Sequence, residues 1–195
     1  LDGNYMVSPL SLRYALGMLV SGASGETKEE LLNAFDVKDV KEFEYICSVF
    51  NGFQEKFETD YDAFVKKMEE YDDKDLEIPE RALKIANSVW RRNDLPDFKE
   101  GFASHVGSFY RAGSFDFTPD TVAKRVNEWA NENTKGMIPK VLNEGEDYGN
   151  LAVVLANALY FKDSWKEPFF DAGSGKFTKA DGNVVTKDYI VKNRG

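Results

Sequence analysis

The side chains that most often carry chemistry are few in this chain and poorly spaced for it. There is one histidine, His105, and one cysteine, Cys47. A zinc-hydrolase site needs several ligands, usually two imidazoles from an HExxH helix, and that run is absent. A serine-hydrolase elbow needs G-x-S-x-G; Gly22-Ala23-Ser24-Gly25 and Gly173-Ser174-Gly175 both fail the spacing. Gly175-Lys176 is followed by Phe177, with no glycine five positions before Gly175, so no phosphate-binding loop is formed. Asp72, Asp73 and Asp75 lack the glycine-containing pattern of a calcium loop and read as a charged loop. Cys47 has no sequence neighbour that would activate a thiol and reads as a small buried residue. His105 reads as a packed or helix-surface side chain. No catalytic, metal or cofactor site is predicted, and the lone cysteine excludes an internal disulfide.

The composition narrows the classes further. The 195 residues hold 25 Lys+Arg against 34 Asp+Glu, a net charge of −9, with 42% hydrophobic and 14% aromatic residues. This is a globular balance, and the length suits one domain or part of a larger one. Nucleic acid is an unsuitable partner, because phosphate binding needs clustered cations, and here Lys66-Lys67 and Arg91-Arg92 stand in acidic or mixed surroundings. Anionic membranes and heparin-like polyanions are disfavoured on the same ground. No apolar run is long enough to span a bilayer. The opening LDGNYMVSPL has neither the basic nor the apolar region of a secretory signal.

The elements that would have to position a site are legible by period. Ser8 can cap a helix whose first position is Pro9, with Leu12, Ala15, Leu16 and Leu19 at helical spacing and Gly22 and Gly25 at its end. Leu10, Met18 and Val20 add apolar groups elsewhere around it, so deep burial is expected. Thr27 to Glu30 has the form of a capping box opening a second helix. Phe43, Ile46, Phe50, Phe53 and Phe57, spaced 3-4-3-4, predict a long amphipathic helix, with weaker continuation through Tyr61, Phe64, Met68 and Tyr71. Residues 69–80 contain seven acids and one lysine and are expected to be a solvated loop. Residues 82–90 (ALKIANSVW) suit a buried strand. Residues 97–106 suggest a short helix, and 107–117 an extended segment. Thr118-Pro119 opens a helix carrying Val122, Val126, Trp129 and Ala130, ended by Gly136. Residues 151–161 (LAVVLANALYF) predict a strand covered on both faces. Asp181-Gly182-Asn183 predicts a hairpin turn between 176–178 and 184–191. Mixed elements without a βαβ rhythm place the chain in the α+β class.

Four of these segments, in order, resemble the serpin family. The first is Asn4 to Leu12 (NYMVSPLSL), with Ala15 to Leu19 and Gly22 to Thr27. It is similar to the family's N-x-x-x-S-P-x-S stretch and the helix after it. Residues 83–90 resemble its ANxxF/W strand. Val126-Asn127-Glu128-Trp129, with Thr134-Lys135-Gly136-Met137-Ile138, resembles its V-N-x-W…T-x-G-x-I motif. Residues 155–165, followed by Phe169, resemble its L-x-N-x-x-Y-F-K-x-x-W…F strand.

The resemblance implies a serpin-like α+β fold, with helices packed around a large, mainly antiparallel sheet. It implies that residues 1–195 form a single incomplete domain, the N-terminal half, with the family's first helix almost wholly absent and the reactive loop outside the chain. The implied activity is suicide inhibition of serine or cysteine proteases by cleavage and insertion of that loop, rather than enzymatic turnover. No cofactor is implied; the partners are a target protease and a complementing C-terminal polypeptide. The alternative is a non-inhibitory carrier, chaperone or storage protein of the same fold. Ser8, Ser11 and Asn157 resemble the polar "shutter" beneath the opening sheet, and Trp165 the aromatic of the "breach". Asn127, Trp129, Thr134 and Gly136 resemble the motif of the helix that lies across the sheet. By their chemistry alone, Ser8 is also an N-cap and Asn157 a satisfied core amide. The family leans towards an extracellular location.

Overall fold

The computed structural model describes residues 7–71 and 77–192. Asn4, Tyr5 and Met6 of the first motif, and the Asp72, Asp73 and Asp75 cluster, lie outside the described residues.

Helix α1 (Pro9–Gly22) starts as its residues dictate. Proline stands in the first turn, and Ser8 Oγ accepts from Ser11 N at 3.2 Å. The face it buries differs from the predicted row. Tyr14, Gly17 and Met18 point inward, while Leu12 is 59% and Leu19 41% exposed. The inward face is the one that seats the Tyr14 phenol on buried acceptors and lets the Tyr110 ring press against Gly17.

Helix α2 (Gly25–Ala34) begins two residues before Thr27, so the expected capping box lies inside the helix. Gly25, at φ +58, supplies the turn between α1 and α2. Helix α3 (Val40–Glu69) runs unbroken for 30 residues from an Asp39 cap. Phe43, Glu44, Cys47 and Asn51 are its buried residues, and Phe53 turns out to solvent. A 3.5-residue spacing drifts around a 3.6-residue helix, so the aromatic row cannot stay on one contact line.

Strand β1 (Ala82–Arg92) is followed by α4 (Phe102–Tyr110) and β2 (Ala112–Phe117). The helix predicted over 97–106 therefore starts later and consumes part of the predicted extended segment. Gly101 (φ 85) and Arg111 (φ 53) bracket it in left-handed conformations, which break the helical path at both ends. Helix α5 (Val122–Asn133) leads to β3 (Val153–Lys162), and β4 (Phe170–Thr178) pairs with β5 (Val184–Val191). In the predicted hairpin turn Gly182 has φ +83, and Asn183 N donates to Asp181 Oδ1 at 2.9 Å.

The larger sheet has the order β2-β1-β3; β1 and β2 are parallel, joined by the α4 crossover, and β1 and β3 antiparallel. Alternation along β1 and β3 separates two cores. Ile85, Val89, Leu155 and Leu159 face α1, α3 and α4, packing with Tyr14, Met18, Cys47, Val106 and Tyr110. Trp90 and Val154 face the other way, onto Phe117, Val122, Val126 and Trp129. Strand β3 is less covered than its apolar sequence implies, since only Ala158 is buried. It is an edge strand: among the described residues its sole ladder partner is β1.

Candidate functional site

The densest buried polar arrangement is a row of neutral side chains running from α1 to the edge strand. Asn87 and Asn157 stand opposite each other in the β1–β3 ladder. Both lie on the face beneath α4, because they share the parity of Ile85, Val89 and Leu159. Asn157 Nδ2 donates to Asn87 Oδ1 at 2.7 Å, and Asn87 Nδ2 donates to Tyr110 O at 2.6 Å. Asn51, on α3, donates from Nδ2 to Phe109 O at 3.1 Å and accepts from the Tyr14 hydroxyl at 2.7 Å. The last carbonyls of a helix have no intrahelical donor, and in α4 that of Tyr110 is bonded in a buried setting and that of Phe109 in a part-buried one. Amides from α3 and β1 satisfy them. The row thus ties α1, α3, α4, β1 and β3 together.

The row carries no formal charge. Burial pushes the phenols of Tyr14 and Tyr110 upward, so both stay protonated donors. Tyr110 shares a 3.2 Å contact with Ser21 Oγ, which donates to Gly17 O. At the other end, Asn157 Oδ1 is buried with no hydrogen-bond partner among the described residues. Neutral amides can change partners without stripping water from a charge, so such a row tolerates rearrangement of the sheet edge above it.

The residues singled out by resemblance fall in four places. Asn157 is in the row. Ser8 and Ser11 form a local pair, Ser11 Oγ donating to Ser8 Oγ at 2.9 Å, and neither is hydrogen-bonded to Asn157. Trp165, 76% exposed, stands beyond β3 and meets Phe169 edge-on. Asn127, Trp129, Thr134 and Gly136 belong to α5 and its exit. Asn127 Oδ1 accepts from Val141 N (2.7 Å) and Leu142 N (2.8 Å), and its Nδ2 donates to Leu142 O (2.9 Å). It therefore fastens the returning chain to the helix. Thr134 Oγ1 donates to Ala130 O and accepts from Ile138 N, and Gly136, at φ +83, closes the turn by donating to Asn131 O. Trp129 packs beside Trp90 and Val126 on the far side of the sheet.

Sequence reasoning missed Asn87, Asn51 and Tyr14. A signal existed for Asn87, an amide in the middle of an apolar strand, where an unpartnered polar group is costly. Asn51 and Tyr14 carry no such mark, because each sits on a helix that could have turned it to water.

Burial pushes the Cys47 thiol up to about 12, so it is not a nucleophile near neutrality. The His105 imidazole has Nε2 3.0 Å from Glu44 Oε1, across the α3–α4 interface. Among the described residues no cluster could hold a metal ion, and no helix is long and apolar enough to cross a membrane.

The family model described as Serpin (serine protease inhibitor) matches residues 1–194. Serpin-ZX of Arabidopsis thaliana is 28% identical over 199 residues, covering 99% of this chain and 46% of that relative. The leukocyte elastase inhibitor of Xenopus laevis is 31% identical over 171 residues, covering 86% of this chain and 40% of that protein. An Arabidopsis serpin solved in its native stressed conformation superposes with a TM-score of 0.69 at 26% identity, covering 97% of this chain and 45% of that one. The native state of the thermophilic serpin tengpin, at 24% identity and a TM-score of 0.71, shares the fold. The chain spans less than half the length of these relatives. Its mixed helices and sheet are a partial serpin fold, and with a family match running nearly end to end, the chain belongs to the serpin family.

Proposed function

We propose that residues 1–195 form a single, incomplete serpin domain that supplies the N-terminal half of a suicide inhibitor of serine proteases. The observation that carries this reading is the edge of β3, unpaired among the described residues, in a chain of this family. An extended segment added there would gain a ladder along one whole side. The protease serine would attack the scissile carbonyl of a reactive loop lying outside this chain, expel the new amine and remain bound as an ester. The cleaved loop would then add beside β3, carrying the protease with it. The protein is consumed rather than turned over, so it is not an enzyme, and it needs no cofactor. Its partners are the target protease and the polypeptide that completes the sheet.

Within this reading Asn157 and Asn87 form the part of the shutter that this chain supplies, because Asn157 belongs to the strand that gains a neighbour and Asn87 faces it across the β1–β3 ladder. The Asn157 Oδ1 atom is an acceptor waiting for a donor. Ser8 and Ser11 contribute by fixing the start of α1. Trp165 marks the end of β3 at which insertion would begin, and α5, with Asn127, Trp129, Thr134 and Gly136, is the element that must shift.

The test uses a serpin chain that contains both this sequence and its reactive loop, mixed with trypsin-like, chymotrypsin-like, elastase-like and papain-like proteases. The expected result is a covalent complex that survives denaturing electrophoresis, with a raised thermal midpoint after loop cleavage. Cleavage with neither complex nor stabilisation would favour the carrier reading, for which the fold has a precedent in thyroxine-binding globulin solved with thyroxine.

A further inference from the structure

A second cluster grips the end of β3, where no role in the amide row reaches. Glu80, in the segment before β1, holds two lysines with one carboxylate. Lys162 Nζ, on β3, donates to Glu80 Oε2 at 2.6 Å, and Lys135 Nζ, at the exit of α5, donates to Glu80 Oε1. The Lys135 ammonium also lies 5.8 Å from the centroid of Tyr160. Tyr160 and Lys162 share the β3 face that looks towards α5. On the opposite face Phe161 meets Phe57 of α3 at 6.2 Å, and Arg81 covers Phe57 while holding Asp163 through two bonds of 2.7 and 3.0 Å.

A second observation concerns the backbone. Lys135 has φ +49, a left-handed conformation that suits glycine or asparagine and disfavours a long side chain. The next residue is already a glycine in that region, at φ +83. What the lysine supplies at this position is reach, since its amine spans the gap to Glu80.

We propose that Glu80 is an electrostatic latch fastening the exit turn of α5, residues 134–138, to the end of β3. Releasing Lys135 frees the turn from the sheet while leaving α5 and β3 intact, and releasing Lys162 loosens the anchor on β3. The three charges are part-exposed, with side chains 42 to 52% accessible, so dissolved salt weakens the latch. This inference does not require the inhibitory reading.

The experiment is hydrogen–deuterium exchange on the purified protein, comparing wild type, Glu80→Gln and Lys135→Asn in 20 mM and in 1 M NaCl. The reporters are the amides of Gly136, Met137 and Ile138, which donate to Asn131 O, Thr134 O and Thr134 Oγ1. The amides of α4 are the internal reference. At low salt Glu80→Gln is expected to exchange about fivefold faster at the reporters, with α4 unchanged. In 1 M NaCl the wild type should approach the Glu80→Gln rate. Lys135→Asn separates the latch from backbone strain: asparagine relaxes the left-handed position but cannot reach Glu80, and faster exchange is expected. Equal rates for wild type and Glu80→Gln at low salt, or slower exchange in Lys135→Asn, would overturn the proposal. Should a variant lose protection in α4 as well, the wild type alone decides: reporter rates that ignore salt, relative to α4, reject the latch.

Discussion

Asn157 and Glu80 show two ways in which one polar side chain governs a strand end. Asn157 acts from a half-buried position, by donating to the buried Asn87. Its loss would leave Asn87 Oδ1 without its donor beside a core, and an unsatisfied buried group costs roughly 1–3 kcal/mol. Asn157→Ala is therefore expected to lower the urea midpoint by a corresponding amount with an unchanged denaturant slope; a midpoint equal to wild type would show that water replaces the bond. Glu80 acts in the open, and its two lysine partners hold its carboxyl down from 4.5 to about 2. A depressed carboxyl contributes stability above its ordinary value, and that contribution disappears as pH falls through about 2. Between pH 6 and 2 the thermal midpoint of wild type should thus fall more steeply than that of Glu80→Gln. Parallel curves would mean that the lysines do not favour the charged form. Neither interaction is visible in the sequence, because Glu80 is separated from Lys135 and Lys162 by long stretches of chain, and only the fold brings them together.

At the scale of elements, the sharpest constraint is the α1–α4 contact. A Cβ built on Gly17 would lie 2.5 Å from Tyr110 Cε1, and that ring is fully buried. Gly17→Ala must push the two helices apart, at about 1–3 kcal/mol by the usual cost of overpacking. Circular dichroism melting would register the loss, and an unchanged midpoint would mean that Tyr110 has room to swing. Element existence was legible throughout: the Ser8-Pro9 start, the aromatic rhythm of α3, the two apolar strands and the Asp181-Gly182-Asn183 turn all appear. Boundaries and facing were less legible. Hydrophobicity marks the α1 row at Leu12 and Leu19, whereas the helix orients itself by the Tyr14 hydroxyl and the bare Gly17 backbone. The α4 boundaries were missed because Gly101 and Arg111, rather than apolar spacing, set them.

For the whole molecule, the exposed edge of β3 is the dominant feature. It carries Val153 and Phe161, 44% and 61% exposed, at the ends of a strand with one ladder neighbour among the described residues. Apolar strands with an open side pair with whatever extended chain they meet. The 195-residue chain alone is expected to self-associate as its concentration rises in sedimentation velocity, and a single monomer boundary at every concentration would contradict that. The polar row is half legible at this scale: Asn157 stands out by its family-like surroundings and Asn87 by its place in an apolar strand, while Asn51 and Tyr14 carry no mark in the sequence.

The buried end of α4 bears on how the chain assembles. Its final carbonyls, at Phe109 and Tyr110, are met by Asn51 and Asn87, which are 58 and 23 residues away in the sequence. A helix of nine residues is too short to persist alone in water. The last turn of α4 is therefore expected to close only after α3 and β1 have docked. Its amides should be the last to gain protection during refolding, and they report whether the whole assembly has been completed.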